Sequence, residues 1–296
     1  MVSPPAPAPA SSSSSQLPET VVIGVLALQG AFIEHIHYLQ RLRPSSHILH
    51  PIAVRSPQEL AACHALIIPG GESTVIASVA ARTPGLLEAL QDFVRDPARP
   101  VWGTCAGMIL MAERNGIGGG KVIKGKERQQ GWGGIEGLKV WRNLYGTQLE
   151  SFEAPLVIPG LSDPSRPFNA IFIRAPAIYS LPTSSSSASS SSQVGSLSGP
   201  TGLPTPDPSR PASPSPSSPS PLGMDSSPPL EVLAALPPEL CPPPPPSDPI
   251  MGDPNPADLG KVMVRKGRKM VTSFHPELSG DARIHEFWVN TCVLGQ

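Results

Sequence analysis

The chain has little of what marks a binder of nucleic acid or lipid. Only 15% of its residues are charged, and 22 Lys+Arg against 23 Asp+Glu leave a net charge of -1. No basic field is available to hold a polyanion or an anionic membrane. Nowhere do about 18 apolar residues run together, the length a spanning helix needs. The first 18 residues carry no Lys or Arg and no apolar core, which argues against a secretory signal or a mitochondrial presequence. Cysteine is scarce: Cys63, Cys105, Cys241 and Cys292 stand far apart without a CxxC pair. A disulfide framework is not expected in such a chain, and free thiols in the cytosol are the default. Neither His35 with His37 nor Cys63 with His64 has metal-site spacing, so no metal is expected.

Proline is the exception to this scarcity. Of 40 prolines, 5 fall in 1–18 and 22 in 181–256. The rest of the chain carries an ordinary load and is long enough for one domain with a sizeable core. The expected organisation is a disordered tail over 1–19 and one domain over 20–296. A low-complexity insertion at about 182–229 and 238–258 interrupts that domain. The insertion reads as a tolerated surface-loop expansion. Its Ser-Pro pairs (Ser213-Pro214, Ser215-Pro216, Ser218-Pro219) also suit a phosphorylated, regulated segment.

The run VVIGVLAL (21–28) is continuously apolar and rich in β-branched residues, as in a strand buried on both faces. Apolar positions at 32, 33, 36 and 39 predict a helix over 31–42. Strands follow at 50–54, 65–71 and 100–105, with helices at 57–62, 73–81, 84–95 and 106–113. Strands alternating with helices predict an α/β fold with a mostly parallel central sheet. Segments 131–146 and 169–178 look like strands extending that sheet in antiparallel sense. The stretch 231–236 suits a strand or a helical turn. Residues 261–274 read as a hairpin turning near Lys266-Gly267, and 281–293 as a closing helix.

Gly103-Thr104-Cys105-Ala106-Gly107 lies between a buried strand and a helix. A nucleophile on such a turn is lifted above the sheet's edge and needs small neighbours. The helix N-terminus beyond it favours thiolate and can hold an oxyanion. A buried cysteine in a tight turn would look the same. A thiolate needs a base and the base an orienter. Ser273-Phe274-His275-Pro276-Glu277 offers both, since His275 and Glu277 share a side of an extended segment; a surface histidine beside an acid is the plainer alternative. Pro69-Gly70-Gly71-Glu72-Ser73-Thr74 closes a strand with two glycines and opens a helix with Ser73 as N-cap. Trp132, Trp141, Trp288, Cys63 and Cys292 read as packing residues.

Taken with Leu26-Ala27-Leu28-Gln29-Gly30-Ala31, Arg142-Asn143, Phe152-Glu153-Ala154 and Phe172-Ile173-Arg174-Ala175-Pro176, these motifs resemble the glutaminase subunits of pyridoxal 5'-phosphate synthase, a family of class I glutamine amidotransferases. The resemblance covers 21–181 and 261–293. It implies a three-layer sandwich and a relay in which Cys105 attacks the side-chain amide of glutamine, His275 carries the proton and Glu277 orients His275. It implies an oxyanion held by the N–H groups of Gly71 and Ala106. Glutamine would be bound by Gly71, Glu72, Ser73, Arg142, Ile173 and Arg174, and Gln29 would couple the site to a partner. That partner is a (β/α)8-barrel synthase that receives the ammonia and combines it with ribose 5-phosphate and glyceraldehyde 3-phosphate. No cofactor is implied for this chain. Leu144 and Thr147 depart from the family pattern. A catalytically silent scaffold, or another cysteine-dependent hydrolase of the same fold, fits the bare motifs as well.

Overall fold

The computed structural model describes residues 19–120, 127–145, 151–182 and 228–296. The chain divides into two units, Met1–Pro182 with Pro229–Gln296, and Thr183–Pro228. The first holds every element described here. The tail over 1–18 and the Ser-Pro pairs lie outside the described residues, as does Thr147.

The central sheet is built from β1 (Glu19–Leu26), β2 (His47–Val54), β3 (Ala65–Ile68), β4 (Val101–Thr104), β10 (Leu230–Ala235), β11 (Lys261–Lys266) and β12 (Lys269–Thr272). Its order is β10-β11-β12-β4-β3-β1-β2. All pairs from β12 to β2 are parallel; β10-β11 and β11-β12 are antiparallel. Alternate side chains of the buried strands feed two cores. Ile23, Val25, Ile67, Trp102 and Met270 face one layer, which includes Leu39 of α1 (Phe32–Arg41) and Ile284 and Trp288 of α6 (Arg283–Trp288). Leu66, Ile68, Val101 and Val271 face the other, with α2 (Pro57–Ala61), α3 (Ser73–Arg82), α4 (Leu86–Arg95) and α5 (Ala106–Met111). A sheet between two helical layers is the expected three-layer sandwich. Its strand order turns about β1 and β3, and in such open sheets ligands bind outside the carboxyl ends of the strands.

Several expectations are corrected. Segments 131–146 and 169–178 do not extend the central sheet. Among the described residues of the first, only Lys139–Trp141 form a strand, β6, joined with β5 (Ile117–Gly118) and β9 (Ala177–Ser180) in a separate three-stranded sheet. The second supplies β8 (Phe168–Phe172), which pairs with β7 (Phe152–Leu156) in a two-stranded sheet. Phe152 and Phe172, directly opposite each other in that ribbon, stack at 4.5 Å between ring centroids and pack one face of it on the core. Ser73 is not the cap of α3 either. Glu72 takes that place, accepting from the N–H of Thr74 at 3.3 Å. The strand β1 opens at Glu19, inside the stretch read as tail.

The proline-rich stretch 238–258 is packed against the domain, contrary to its composition. Residues 230–235 resolve to strand β10, an edge of the central sheet. Beyond it Met251 is buried, the N–H of Asn255 donates to the carbonyl of Tyr179 at 2.9 Å, and Tyr179 Oη donates to the carbonyl of Gly252. Proline lacks an N–H to satisfy, so a few well-placed carbonyls and one methionine dock the strap. Asp248 anchors it, accepting two bonds from Arg128 at 2.8 and 2.9 Å and two backbone N–H bonds from Ile250 and Met251. Burial opposes the Asp248 charge, but these bonds together hold its pKa below the usual carboxylate value. Asp248→Ala should therefore cost about 1–3 kcal/mol, read as a lower urea midpoint. An unchanged midpoint would show that the Asp248–Arg128 anchor contributes nothing to stability.

Candidate functional site

Four strand ends of the parallel region converge at one edge. At the end of β4 the chain reverses at Cys105, whose φ of 47° is left-handed, and enters α5. The glycines around it are required by crowding. A Cβ on Gly103 would fall 2.5 Å from the Gly107 carbonyl oxygen, and one on Gly107 would fall 2.0 Å from that of Ile68. The Cys105 N–H donates to the Thr272 carbonyl at 2.8 Å, which ties the elbow to β12. Ala106 is buried behind it and opens α5, where an N–H has no intrahelical acceptor.

Past β12 the chain brings up His275, whose own N–H donates to the Ile171 carbonyl at 2.8 Å. It then tightens into a 3-10 turn over Pro276–Leu278. The segment is thus not extended as expected, but the turn brings His275 Nδ1 within 2.7 Å of Glu277 Oε1. Cys105, His275 and Glu277 are 6, 8 and 4% exposed. Cys105 and His275 both reach the cavity wall, near enough for the sulfur to favour charge on the imidazole. Both also crowd Gly70, where a Cβ would lie 2.4 Å from His275 Cε1 and 3.4 Å from Cys105 Cβ.

Burial works against charge on His275, but the neighbouring Cys105 sulfur and the bonded Glu277 carboxylate outweigh it and raise its pKa to about 10. Burial likewise opposes charge on Glu277, yet His35 and His275 hold its pKa below normal. Because the folded value of His275 lies above the ordinary 6.5, the stability it confers is whole below pH 6.5 and fades as pH rises through about 10. The gap in unfolding free energy between wild type and His275→Asn should shrink across that window. Urea titrations at stepped pH check this; a gap that widened would contradict it.

A cavity of about 500 Å³ opens over this edge, a size suited to a small polar ligand. Cys105 and His275 line it, together with Gly71, Glu72 and Ser73 from the β3–α3 turn. Arg142, Ile173, Arg174 and Gln29, also expected from the sequence, line it too. Ala106 and Glu277 are absent from its wall and stand one layer behind. Gln29 Oε1 accepts from the Glu72 N–H at 2.7 Å, holding the glycine turn against the β1 loop. Burial lowers the Arg142 pKa while Glu72 opposes the shift. Three of the residues with left-handed φ that are not glycine, Cys105, Asn143 and Arg174, line the cavity, where backbone strain commonly collects.

Two features escaped the sequence reading. Gln129 Oε1 accepts from Ser73 Oγ at 3.2 Å and from Arg142 Nη1 at 3.0 Å, bridging two walls of the cavity. No motif marks it. His35 lies 3.4 Å from Glu277. Its place on the apolar stripe of α1, one turn before Leu39, was a legible sign of burial.

A mostly parallel sheet with a cavity over its carboxyl edge and a cysteine on a strand-to-helix elbow is the arrangement of an α/β domain built around a nucleophile elbow. A solved structure described as a glutamine amidotransferase superposes with a TM-score of 0.56 at 29% identity, covering 91% of this chain and 98% of that one. The chain belongs to the SNO glutamine amidotransferase family, whose model matches residues 25–197. It is 33% identical to a pyridoxal 5'-phosphate synthase subunit PdxT of Herpetosiphon aurantiacus, over 91% of this chain and 99% of that protein. It is 31% identical to a probable pyridoxal 5'-phosphate synthase subunit PDX2 of Arabidopsis thaliana, over 91% of this chain and 85% of that protein.

Proposed function

We propose that this chain is the glutaminase subunit of a pyridoxal 5'-phosphate synthase, hydrolysing L-glutamine to glutamate and ammonia through a thioester on Cys105. The observation that carries the reading is the meeting of Cys105, His275 and Glu277 beside one cavity. The Cys105 sulfur attacks the side-chain amide carbon. The developing oxyanion sits on the N–H groups of Gly71 and Ala106, donors fixed before the reaction begins. His275 gives its proton to the departing nitrogen and ammonia leaves. Water then attacks the thioester with His275 taking its proton, and glutamate is released. Glu277 accepts from Nδ1 throughout, so that Nε2 faces the sulfur.

The cavity suits a zwitterionic amino acid. Arg142 and Arg174 complement a carboxylate, Glu72 an ammonium, and Gly71, Ser73 and Ile173 fill the space between. Among the described residues no helix is long and apolar enough to cross a membrane; the proposed setting is the cytosol. The ammonia passes to a (β/α)8-barrel synthase subunit, which joins it with ribose 5-phosphate and glyceraldehyde 3-phosphate. Gln29, bonded to the turn that bears Gly71, is positioned to pass docking on to the oxyanion site. Reconstitution with such a barrel subunit tests the whole reading, following glutamate and pyridoxal phosphate together. Glutamate release that rises on adding the barrel, with matching product, supports it. A chain inert toward glutamine in both conditions sinks it.

A further inference from the structure

Behind Glu277 lies a second buried polar cluster that the reaction above does not use. Resting on the glutaminase reading, we propose that His35 is a positioning residue of the relay, a neutral imidazole whose Nε2–H steadies the outer oxygen of Glu277 while His285 fixes its tautomer.

Glu277 has two oxygens with different surroundings. Oε1 meets His275 Nδ1 at 2.7 Å. Oε2 is buried with no hydrogen-bond partner, and His35 Nε2 stands 3.4 Å from it, at contact distance but outside hydrogen-bond geometry. Both side chains of that pair are fully buried. A carboxylate can only accept, so the contact is attractive only when His35 carries a proton on Nε2. Thr104 Oγ1, at 3.5 Å, is the group hydrogen-bonded to the same nitrogen in the unliganded site. Such contacts are often long in an unliganded site and shorten when substrate binds.

The other face of the ring then follows. His35 Nδ1 lies 2.9 Å from His285 Nε2. With Nε2 protonated and the ring neutral, Nδ1 must accept, so His285 must donate from Nε2. His285 Nδ1, buried with no partner, is then a bare acceptor, where the opposite tautomers would leave an orphaned buried N–H. One carboxylate thus dictates the proton positions on two rings in succession.

Both rings stay neutral for a physical reason. Burial lowers the pKa of each to about 3; for His35 the attraction of Glu277 is insufficient, and His285 and His275 push it lower still. A charged His35 would compete with His275 for Glu277, whereas a neutral one supports the carboxylate without taking its charge. Packing holds the cluster in place. Tyr38 stacks on His285 at 4.5 Å, Trp102 meets His285 edge-on at 5.0 Å, and Trp102 also meets His35 at 5.7 Å. Helices α1 and α6, 250 residues apart at these positions, are thereby wired to the catalytic edge.

The test begins with nitrogen NMR of the full chain labelled with [15N]histidine, His35→Gln and His285→Gln assigning the resonances. Both rings should carry the proton on Nε2 and fail to titrate between about pH 5 and about pH 9. A proton on His35 Nδ1, or titration of His35 in that range, would overturn the proposal. Kinetics of the complex with the barrel synthase form the second arm. His35→Leu should lower kcat for glutamate release about 10–100-fold with KM unchanged, the loss of one bond to a charged group. His35→Gln places an amide N–H near the lost Nε2–H and should recover most of kcat, even if it melts earlier through losing the bond to His285. A His35→Leu kcat equal to wild type, or an equal loss in Leu and Gln, refutes a positioning role. Should His35→Leu not fold, the wild-type tautomers and the Gln variant decide. A wild-type complex that released no glutamate would instead sink the glutaminase reading, leaving the tautomer result to be judged alone.

Discussion

Cys105→Ala should reduce glutamate release to background, a fall on the order of 10⁶ where a covalent nucleophile is removed. The sulfur is the only atom lost, and its site on the elbow is fixed by backbone. The Cys105 N–H bond to Thr272 and the tight approach of Gly107 to Ile68 are both made by the main chain. The variant should therefore fold and still bind the barrel synthase. Ammonium salts should bypass it, restoring pyridoxal phosphate formation by the complex without glutamine. Glutamate production at the wild-type rate would refute Cys105 as nucleophile. Failure of ammonium to rescue a correctly assembled complex would instead refute ammonia as the product handed on.

Glu277→Ala should lower kcat by about 10²–10⁴ with little change in KM, as expected for the orienter of a relay. Glu277 does not line the cavity, so uniform substrate binding should survive. Its Oε1 holds His275 Nδ1 at 2.7 Å and is among the causes that raise the imidazole pKa to about 10. Removing it takes away a raising influence, so the His275 titration must move to lower pH. Nitrogen NMR of the labelled ring reads that shift independently of turnover. A variant with wild-type kcat, or one whose His275 titrates higher, would contradict the assignment. The structural cost should also be visible, since His35 Nε2 and His275 Nδ1 would face an empty space where both now meet a buried anion.

How much of this was legible in the sequence varies with the range of the forces involved. The Cys105 elbow, the Gly70-Gly71 turn and His275-Pro276-Glu277 are short contiguous motifs, and their geometry is set by neighbouring backbone. They could be read directly. The buried parallel strands were legible for a similar reason, because strands covered on both faces show as unbroken apolar runs. Segments 131–146 and 169–178 were misplaced because their partners are chosen by tertiary packing: β6 joins β5 and β9, and β8 joins β7. Composition misled at 238–258, where five consecutive prolines conceal a strap held by Asp248, Met251 and Asn255. The cap of α3 moved by one residue because the Glu72 carboxylate reaches the Thr74 N–H. His35 and His285 could not be paired from sequence at all, since nothing local relates residues so far apart.

The proposed reaction passes through a glutamyl thioester at Cys105, and trapping it is the most direct test. The complex with the barrel synthase would be mixed with glutamine, quenched in acid within one turnover, and analysed by peptide mass spectrometry. A single glutamyl addition is expected on the peptide containing Cys105, absent from Cys105→Ala and accumulating when water attack is slowed. Glutamate formed with no such addition at any quench time, or an addition on Cys63, Cys241 or Cys292 instead, would contradict it.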